Sequence, residues 1–258
     1  MTAALTDDDA TDIALAKVLD VEGCFNVRDA GGWSTRSGGH MRPGVLYRAD
    51  EPVRITPTGR AVIDALDLHA VIDLRSRYHF DRGPGFADPT RTHHVPVVDR
   101  VIATDEPRRV DSPADMALLY DEMVEFQRAN VVRAVEIVAA HVGEGPVLVH
   151  CLAGKDRTGI VIALIHAAIG VPLDSIVDDY VRSDVPTRRR RSQMLAHPVA
   201  GDPDVVKASD VIWTSPALTM ELFATRAVER FGSLEAWPTG LGVSAGAVAN
   251  LRRHLLTD

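Results

Sequence analysis

The stretch Pro146-Val147-Leu148-Val149-His150-Cys151-Leu152-Ala153-Gly154-Lys155-Asp156-Arg157-Thr158-Gly159 decides how this chain folds and what chemistry it supports. It begins with an apolar, valine-rich run that suits a buried strand. After Gly159 the run Ile160-Val161-Ile162-Ala163-Leu164 continues in a helical pattern. A strand, a short glycine loop and a helix start together make an anion cradle. The first amide N–H groups of a helix have no internal partner, and its dipole favours negative charge there. Cys151 stands at that cradle, with Arg157 closing the loop six residues later. A thiol so placed reads as a nucleophile, and a phosphate ester is the anion that fits.

Chance is a poor account of the pattern. If the His, Cys, Gly, Arg, Thr and Gly positions are each met with a frequency of ~0.05, the joint odds are on the order of 10⁻⁸ per starting position. A nucleotide-binding loop is a poor competitor. Gly154-Lys155 is followed by Asp156 where that motif needs Ser or Thr, and no glycine lies five residues before Gly154.

The rest of the chain sets bounds. Its 258 residues suffice for a substantial core, and 46% hydrophobic with 25% charged residues is the composition of an ordinary globular protein. A formal net charge of −8 argues against general nucleic-acid binding. Two cysteines, Cys24 and Cys151, supply no disulfide framework and suit a reducing, cytoplasmic setting. The acidic start, with Asp7-Asp8-Asp9, is not an ordinary secretory signal peptide; export by another route stays open. The apolar run from Gly159 to Gly170 is shorter than the ~20 residues a bilayer requires, and reads as a buried helix.

Along the chain, residues 1–15 read as a frayed acidic start and 16–258 as one domain, mostly helical from about residue 172. Ser37-Gly38-Gly39-His40 reads as a hairpin loop before a strand at Val45–Arg48, and Thr56 or Thr58 as the cap of a helix reaching Leu66. Strands are expected at Ala70–Leu74 and Thr92–Val98, and a long helical pattern at 113–142. Further helices are expected at Pro172–Arg182, Arg188–Ala196, Pro216–Phe231 and Ser244–Leu256, with a surface loop over His197–Ser215. Strands alternating with helices give an α/β class whose ligand site lies at the carboxyl ends of the strands, where Cys151 falls.

The pattern His150, Cys151, Arg157, Thr158 resembles the signature loop of the cysteine-dependent tyrosine phosphatase superfamily. Its Gly154-Lys155-Asp156-Arg157-Thr158-Gly159 version resembles the atypical bacterial branch of the secreted tyrosine phosphatase B type. The likeness runs through Phe25-Asn26-Val27-Arg28-Asp29, Leu46–Asp50, Val71–Ser76, Asp179–Ser183, Phe231–Glu235 and Leu241–Ser244, in that order. It implies a tyrosine-phosphatase-like α/β fold: a mostly parallel central sheet flanked by helices, with extra C-terminal helices as a candidate lid. It also implies phosphomonoester hydrolysis through a phosphocysteine intermediate, on phosphotyrosine, phosphoserine/threonine or phosphoinositide substrates.

Each residue then has an expected part. Cys151 attacks phosphorus, with its thiolate favoured by the helix N-terminus and supported by His150. Leu152, Ala153, Gly154, Lys155, Asp156 and Arg157 surround the phosphate. Arg157 offers a planar fork to two phosphoryl oxygens, and Lys155 is available to a second phosphate. Thr158 either donates its hydroxyl to the departing thiolate or caps the helix. Two carboxylates compete as the acid that protonates the leaving oxygen. They are Asp156, which the resemblance favours, and Asp99, on the loop where the wider superfamily carries its acid.

Arg28, Asp29, Arg48, Asp73 and Arg75 read as a structural ion-pair network. The run Arg188–Arg191 reads as a solvated helix face or a basic lid, with Tyr180 shaping the lid or filling the core. Cys24 is a small buried hydrophobe or a thiol that captures oxidised Cys151. His93-His94 have no third ligand at a familiar spacing, so neither a metal nor any other cofactor is expected. The expected partners are a phosphorylated protein or phosphoinositide, with no nucleic acid and with peripheral membrane contact as an option for a monomeric protein. A catalytically silent phosphate-binding module and a membrane-surface lipid phosphatase are the competing readings.

Overall fold

The computed structural model describes residues 18–83, 85–97, 110–196 and 209–257. The expectations for residues 1–15 and for Asp99 lie outside the described residues. Five strands form the main sheet: β1 (Arg28–Asp29), β3 (Leu46–Ala49), β6 (Val147–His150), β4 (Ala70–Asp73) and β5 (Thr92–His94), in that spatial order. β3, β6, β4 and β5 run parallel, and β1 adds to the edge in antiparallel fashion. A separate two-stranded ribbon pairs β2 (His40–Met41) with β7 (Leu256–Thr257).

The central strands are buried along their whole length, as a parallel sheet covered on both faces requires. Side chains alternate between two cores. Leu46, Ala70, Ile72, Val147 and Val149 join the larger one. Tyr47, Ala49, Val71 and Leu148 join the smaller, with Ile63 of helix α1 (Pro57–Asp64), Val21 and Phe86. The period of two along each strand therefore divides one sheet between two layers of packing.

Helix α2 (Arg77–Phe80) follows β4, and α3 (Pro113–Phe126) and α4 (Arg128–His141) precede β6. The helical pattern expected over 113–142 is thus two helices. Ser112 and Asp115 form a capping box at its start, and the backbone breaks at Gln127 (φ −113°, ψ 21°). The strand expected over Thr92–Val98 ends at His94. The turn at Ser37–Gly39 is present, with Thr35 N–H bonded to Gly39 O at 2.8 Å, but the strand after it pairs with β7 instead of β3.

Helix α5 (Asp156–Ile169) is buried on nearly every side from Thr158 onward, and ends at Gly170 in the left-handed region (φ 88°). Then follow α6 (Leu173–Val181), α7 (Asp184–Ala196), α8 (Ala217–Phe231), α9 (Trp237–Leu241) and α10 (Ala245–Leu255). The last three are core elements: Met220, Phe223, Trp237, Leu241, Leu251 and Leu255 belong to the larger core. Arg190 of α7 reaches across to Glu51. Among the described residues no helix is long and apolar enough to cross a membrane.

Candidate active site

The loop Cys151–Lys155 leaves the carboxyl end of β6 and enters α5. Its carbonyl groups are held from behind. Leu152 O accepts from Glu51 N–H (3.1 Å), Ala153 O from Asn26 Nδ2 (2.9 Å), and Gly154 O from an Arg48 guanidinium nitrogen (2.6 Å). Among the described residues, the amides of Leu152, Ala153, Gly154 and Lys155 have no acceptor. A run of open amides beside a helix start is an arrangement that suits an anion.

Gly154 makes this shape available. Its φ is +65°, and a Cβ there would stand 2.4 Å from Ala49 O and 2.7 Å from Asp50 N. Only glycine lets the loop lie against the end of β3.

Three groups of charged side chains brace the loop. In the first, Arg28 and Arg48 are both almost fully buried and share Asp179 of α6. Arg28 also donates to Asp179 O (2.7 Å) and Ser183 Oγ (3.0 Å). Burial, and then Arg48, lowers the Arg28 pKa to about 9. Burial alone would raise that of Asp179, but Arg48 and Arg28 hold it down at about 2. In the second, Asp73 receives Arg75 at 2.7–3.0 Å and lies 3.4 Å from His150 Nε2. Burial opposes ionisation of Asp73, but His150 and Arg75 outweigh it and hold its carboxyl well below the ordinary range. His150 Nδ1 faces Cys151 O at 3.4 Å, and its ring meets Phe86 edge-on. Asp29 stands apart, accepting from the amides of Gly31 and Gly44. The third is Asp50 and Glu51, which meet Arg190 of α7, while Asp50 also accepts from the amides of Phe25 and Asn26.

Cys151, the first residue of the loop, is buried. Arg157 is partly exposed, and among the described residues no hydrogen bond or ion pair engages its guanidinium, whereas Arg28, Arg48, Arg75 and Arg190 are all paired. Asp156 is the first residue of α5 and a quarter exposed. Its Oδ1 accepts from the Tyr120 hydroxyl and lies 3.1 Å from Lys155 Nζ; Oδ2 has no partner among the described residues. Tyr120 and Tyr180 join through their hydroxyls at 2.8 Å, and burial raises the pKa of both, keeping them protonated.

Lys155 is fully buried, and its ammonium donates to Ile212 O (2.7 Å) and Thr214 O (3.0 Å). These bonds tie the turn Asp210–Trp213 to the loop. Of the two roles open to Thr158, the cap is excluded because Lys155 occupies that position of α5, and among the described residues the buried Thr158 hydroxyl has no partner. The arginine run is neither one solvated face nor a free basic patch. Arg188 pairs with Asp184, Arg190 with Glu51 and Arg191 with Asp210. Tyr180 is a core aromatic that also carries a hydrogen bond. Cys24 and Cys151 are both free, and burial followed by the charge of Asp50 pushes the Cys24 thiol far above its ordinary range. Sequence reasoning singled out Asp179 only within a block of resemblance, without its pairing to Arg28 and Arg48, and missed Tyr120, which lies outside the loop and carries no loop signature.

The blocks Phe25–Asp29, Leu46–Asp50, Val71–Ser76 and Asp179–Ser183 all contribute to this setting, and comparison with known proteins agrees. The profile described as the tyrosine phosphatase family matches residues 19–257. The "Triple specificity protein phosphatase PtpB" of Mycobacterium tuberculosis is 32% identical, over 93% of this chain and 99% of its own. A Cupriavidus necator protein with a provisional tyrosine-protein phosphatase name is 32% identical over 84% of this chain and 77% of its own. A tyrosine-protein phosphatase of Nostoc commune is 27% identical over 50% and 45% respectively. The chain belongs to the tyrosine phosphatase family, and its activity is that of a phosphatase.

Proposed function

We propose that this phosphatase hydrolyses phosphate monoesters through Cys151, and that phosphotyrosine is its first substrate class. The observation that carries the reading is the loop itself: among the described residues, four amides and the Arg157 guanidinium have no partner around a buried cysteine. Cys151 thiolate attacks phosphorus as the ester P–O bond breaks, and Asp156 delivers a proton to the leaving oxygen through Oδ2, the oxygen that Tyr120 does not hold. Water then attacks the phosphocysteine, the carboxylate of Asp156 takes its proton, and inorganic phosphate leaves with the thiolate restored. Arg157 spans two equatorial oxygens and tightens as the phosphoryl group becomes planar, the stage at which binding accelerates reaction. His150 is a positioning residue for the Cys151 backbone, held by Asp73.

The name of the mycobacterial relative records three specificities for that protein. For this chain we extend the proposal to phosphoserine/threonine and phosphoinositide esters as secondary substrates. The engagement of Lys155 with Ile212 and Thr214 argues against a dedicated second-phosphate site at that lysine. The test is phosphate release from p-nitrophenyl phosphate and from the three ester classes. Cys151→Ser is expected to abolish release from all of them; retained turnover removes the assignment. Tight phosphopeptide binding without release by the unaltered chain would favour a phosphate reader instead.

A further inference from the structure

The histidines at the opposite end of the sheet from Cys151 form a cluster that the phosphatase chemistry does not use. His69 immediately precedes β4, His141 closes α4, and Glu144 lies in the turn leading into β6. Sequence spacing offered His93 and His94 no third ligand, but the fold supplies other groups beside His93.

Glu144 Oε2 stands 2.7 Å from His69 Nε2 and 3.2 Å from His141 Nδ1. One donor atom from each of the three residues lies within 4.8 Å of the other two. The ring centroids are 5.3 Å apart for His69 and His141, and 4.9 Å apart for His93 and His141. Two imidazoles bound at ~2.0–2.1 Å to one tetrahedral ion have centroids about 5 Å apart and donor atoms about 3.3 Å apart. The His69–His141 ring spacing is therefore close to that of a bound pair, and small side-chain shifts would bring the three donor atoms, now within 4.8 Å of one another, onto one ion.

Backbone contacts maintain that spacing. Glu144 N–H bonds to His141 O (2.9 Å), and His69 N–H to Pro146 O at the entry to β6 (2.7 Å). His93 is set opposite Ile72 by the pairing of β4 with β5. The two imidazoles are half-buried and Glu144 is 58% exposed, which leaves an entry path from solvent.

We propose that His69, His141 and Glu144 bind a divalent cation of the Zn²⁺ class, with water in the fourth position and His93 flanking the site. Two nitrogen donors and one carboxylate suit Zn²⁺ and its neighbours Ni²⁺ and Cu²⁺ better than the oxygen-seeking Mg²⁺ or Ca²⁺. The bound ion would clip the end of α4 to the starts of β4 and β6, stabilising the folded chain by mass action. The cluster contains no group assigned to phosphate chemistry, so its occupancy and the phosphatase reading succeed or fail separately.

The test is isothermal titration of the full chain, free of any affinity tag, with ZnCl₂. Cys151→Ser is present throughout so that the loop thiol cannot take the metal. One saturable equivalent is expected, with a rise in melting temperature on zinc addition. His69→Ala, His141→Ala and Glu144→Gln should each weaken binding by at least about tenfold and remove the thermal shift. His40→Ala, at an exposed histidine elsewhere, should change neither. Glu144→Gln guards against misfolding, because its side chain is exposed and its removal leaves the packing intact. Absence of saturable uptake, or uptake that persists unchanged in His141→Ala and Glu144→Gln, overturns the site and leaves two ordinary histidine–glutamate pairs.

Discussion

Tyr120, on α3, donates its hydroxyl hydrogen bond to Asp156, the first residue of α5. The contact fixes one carboxylate oxygen, while the other has no partner among the described residues, which is the arrangement a directed proton donor needs. Tyr180 supports Tyr120 from the opposite side.

The consequence for Asp156→Asn depends on the leaving group. Phosphate release from phenyl phosphate should fall by about 10²–10³, because general acid catalysis typically contributes 10²–10⁴. p-Nitrophenyl phosphate, whose phenolate departs without help, should lose far less. Tyr120→Phe should show the same pattern on a smaller scale, in kcat with KM nearly unchanged. Equal losses on both esters would assign the acid elsewhere.

Gly154→Ala should damage stability and turnover together. The added methyl would collide with the Ala49 carbonyl, and the residue would keep a left-handed φ of +65° at a cost of roughly 1–3 kcal/mol. Any relief moves the loop amides, so kcat/KM should fall at least about a hundredfold. Thermal melts and steady-state kinetics on one preparation check both.

Asp179→Asn leaves Arg28 and Arg48 buried together without their counter-charge. Breaking a buried pair in this way typically costs about 3–5 kcal/mol, readable by urea denaturation at neutral pH. The pH dependence has a definite sign. The Asp179 carboxyl is lowered from 3.8 to about 2 on folding, so its stabilisation is complete above pH 3.8 and is lost as pH falls through about 2. The wild-type chain should lose on the order of 2 kcal/mol from this group across that window. Asp179→Asn should lack that step.

Lys155→Met tests a structural against a recognition role. Removing the ammonium should lower the melting temperature and increase amide exchange over Asp210–Trp213, since Ile212 O and Thr214 O lose their donor. The ratio of phosphotyrosine to phosphoinositide turnover should stay constant. A selective loss of phosphoinositide hydrolysis would reverse the assignment.

The strand, loop and helix from Val147 to Ile169 were legible in the sequence because each step has a local cause: valines for the strand, Gly154 for the turn, apolar residues all round for a buried helix. The acceptors of Lys155 were not legible, because Ile212 O and Thr214 O lie 57 and 59 residues later in the chain. Asp179 is 151 residues from Arg28 and 131 from Arg48, so neither periodicity nor spacing signals the partnership. The break at Gln127 has no proline or glycine to announce it. Helix α9 contains both Pro238 and Gly240, which conceal it.

Arg48 belongs at once to the ion pair under the sheet and to the hydrogen bond on Gly154 O. The loop is therefore shaped by the same act that completes the fold, and a dianion arriving there has little left to organise. It follows that robustness and turnover in this protein are not separately adjustable. An apolar replacement of the Arg28, Arg48 and Asp179 set, a change that is often neutral or stabilising in other proteins, would here release the Gly154 backbone.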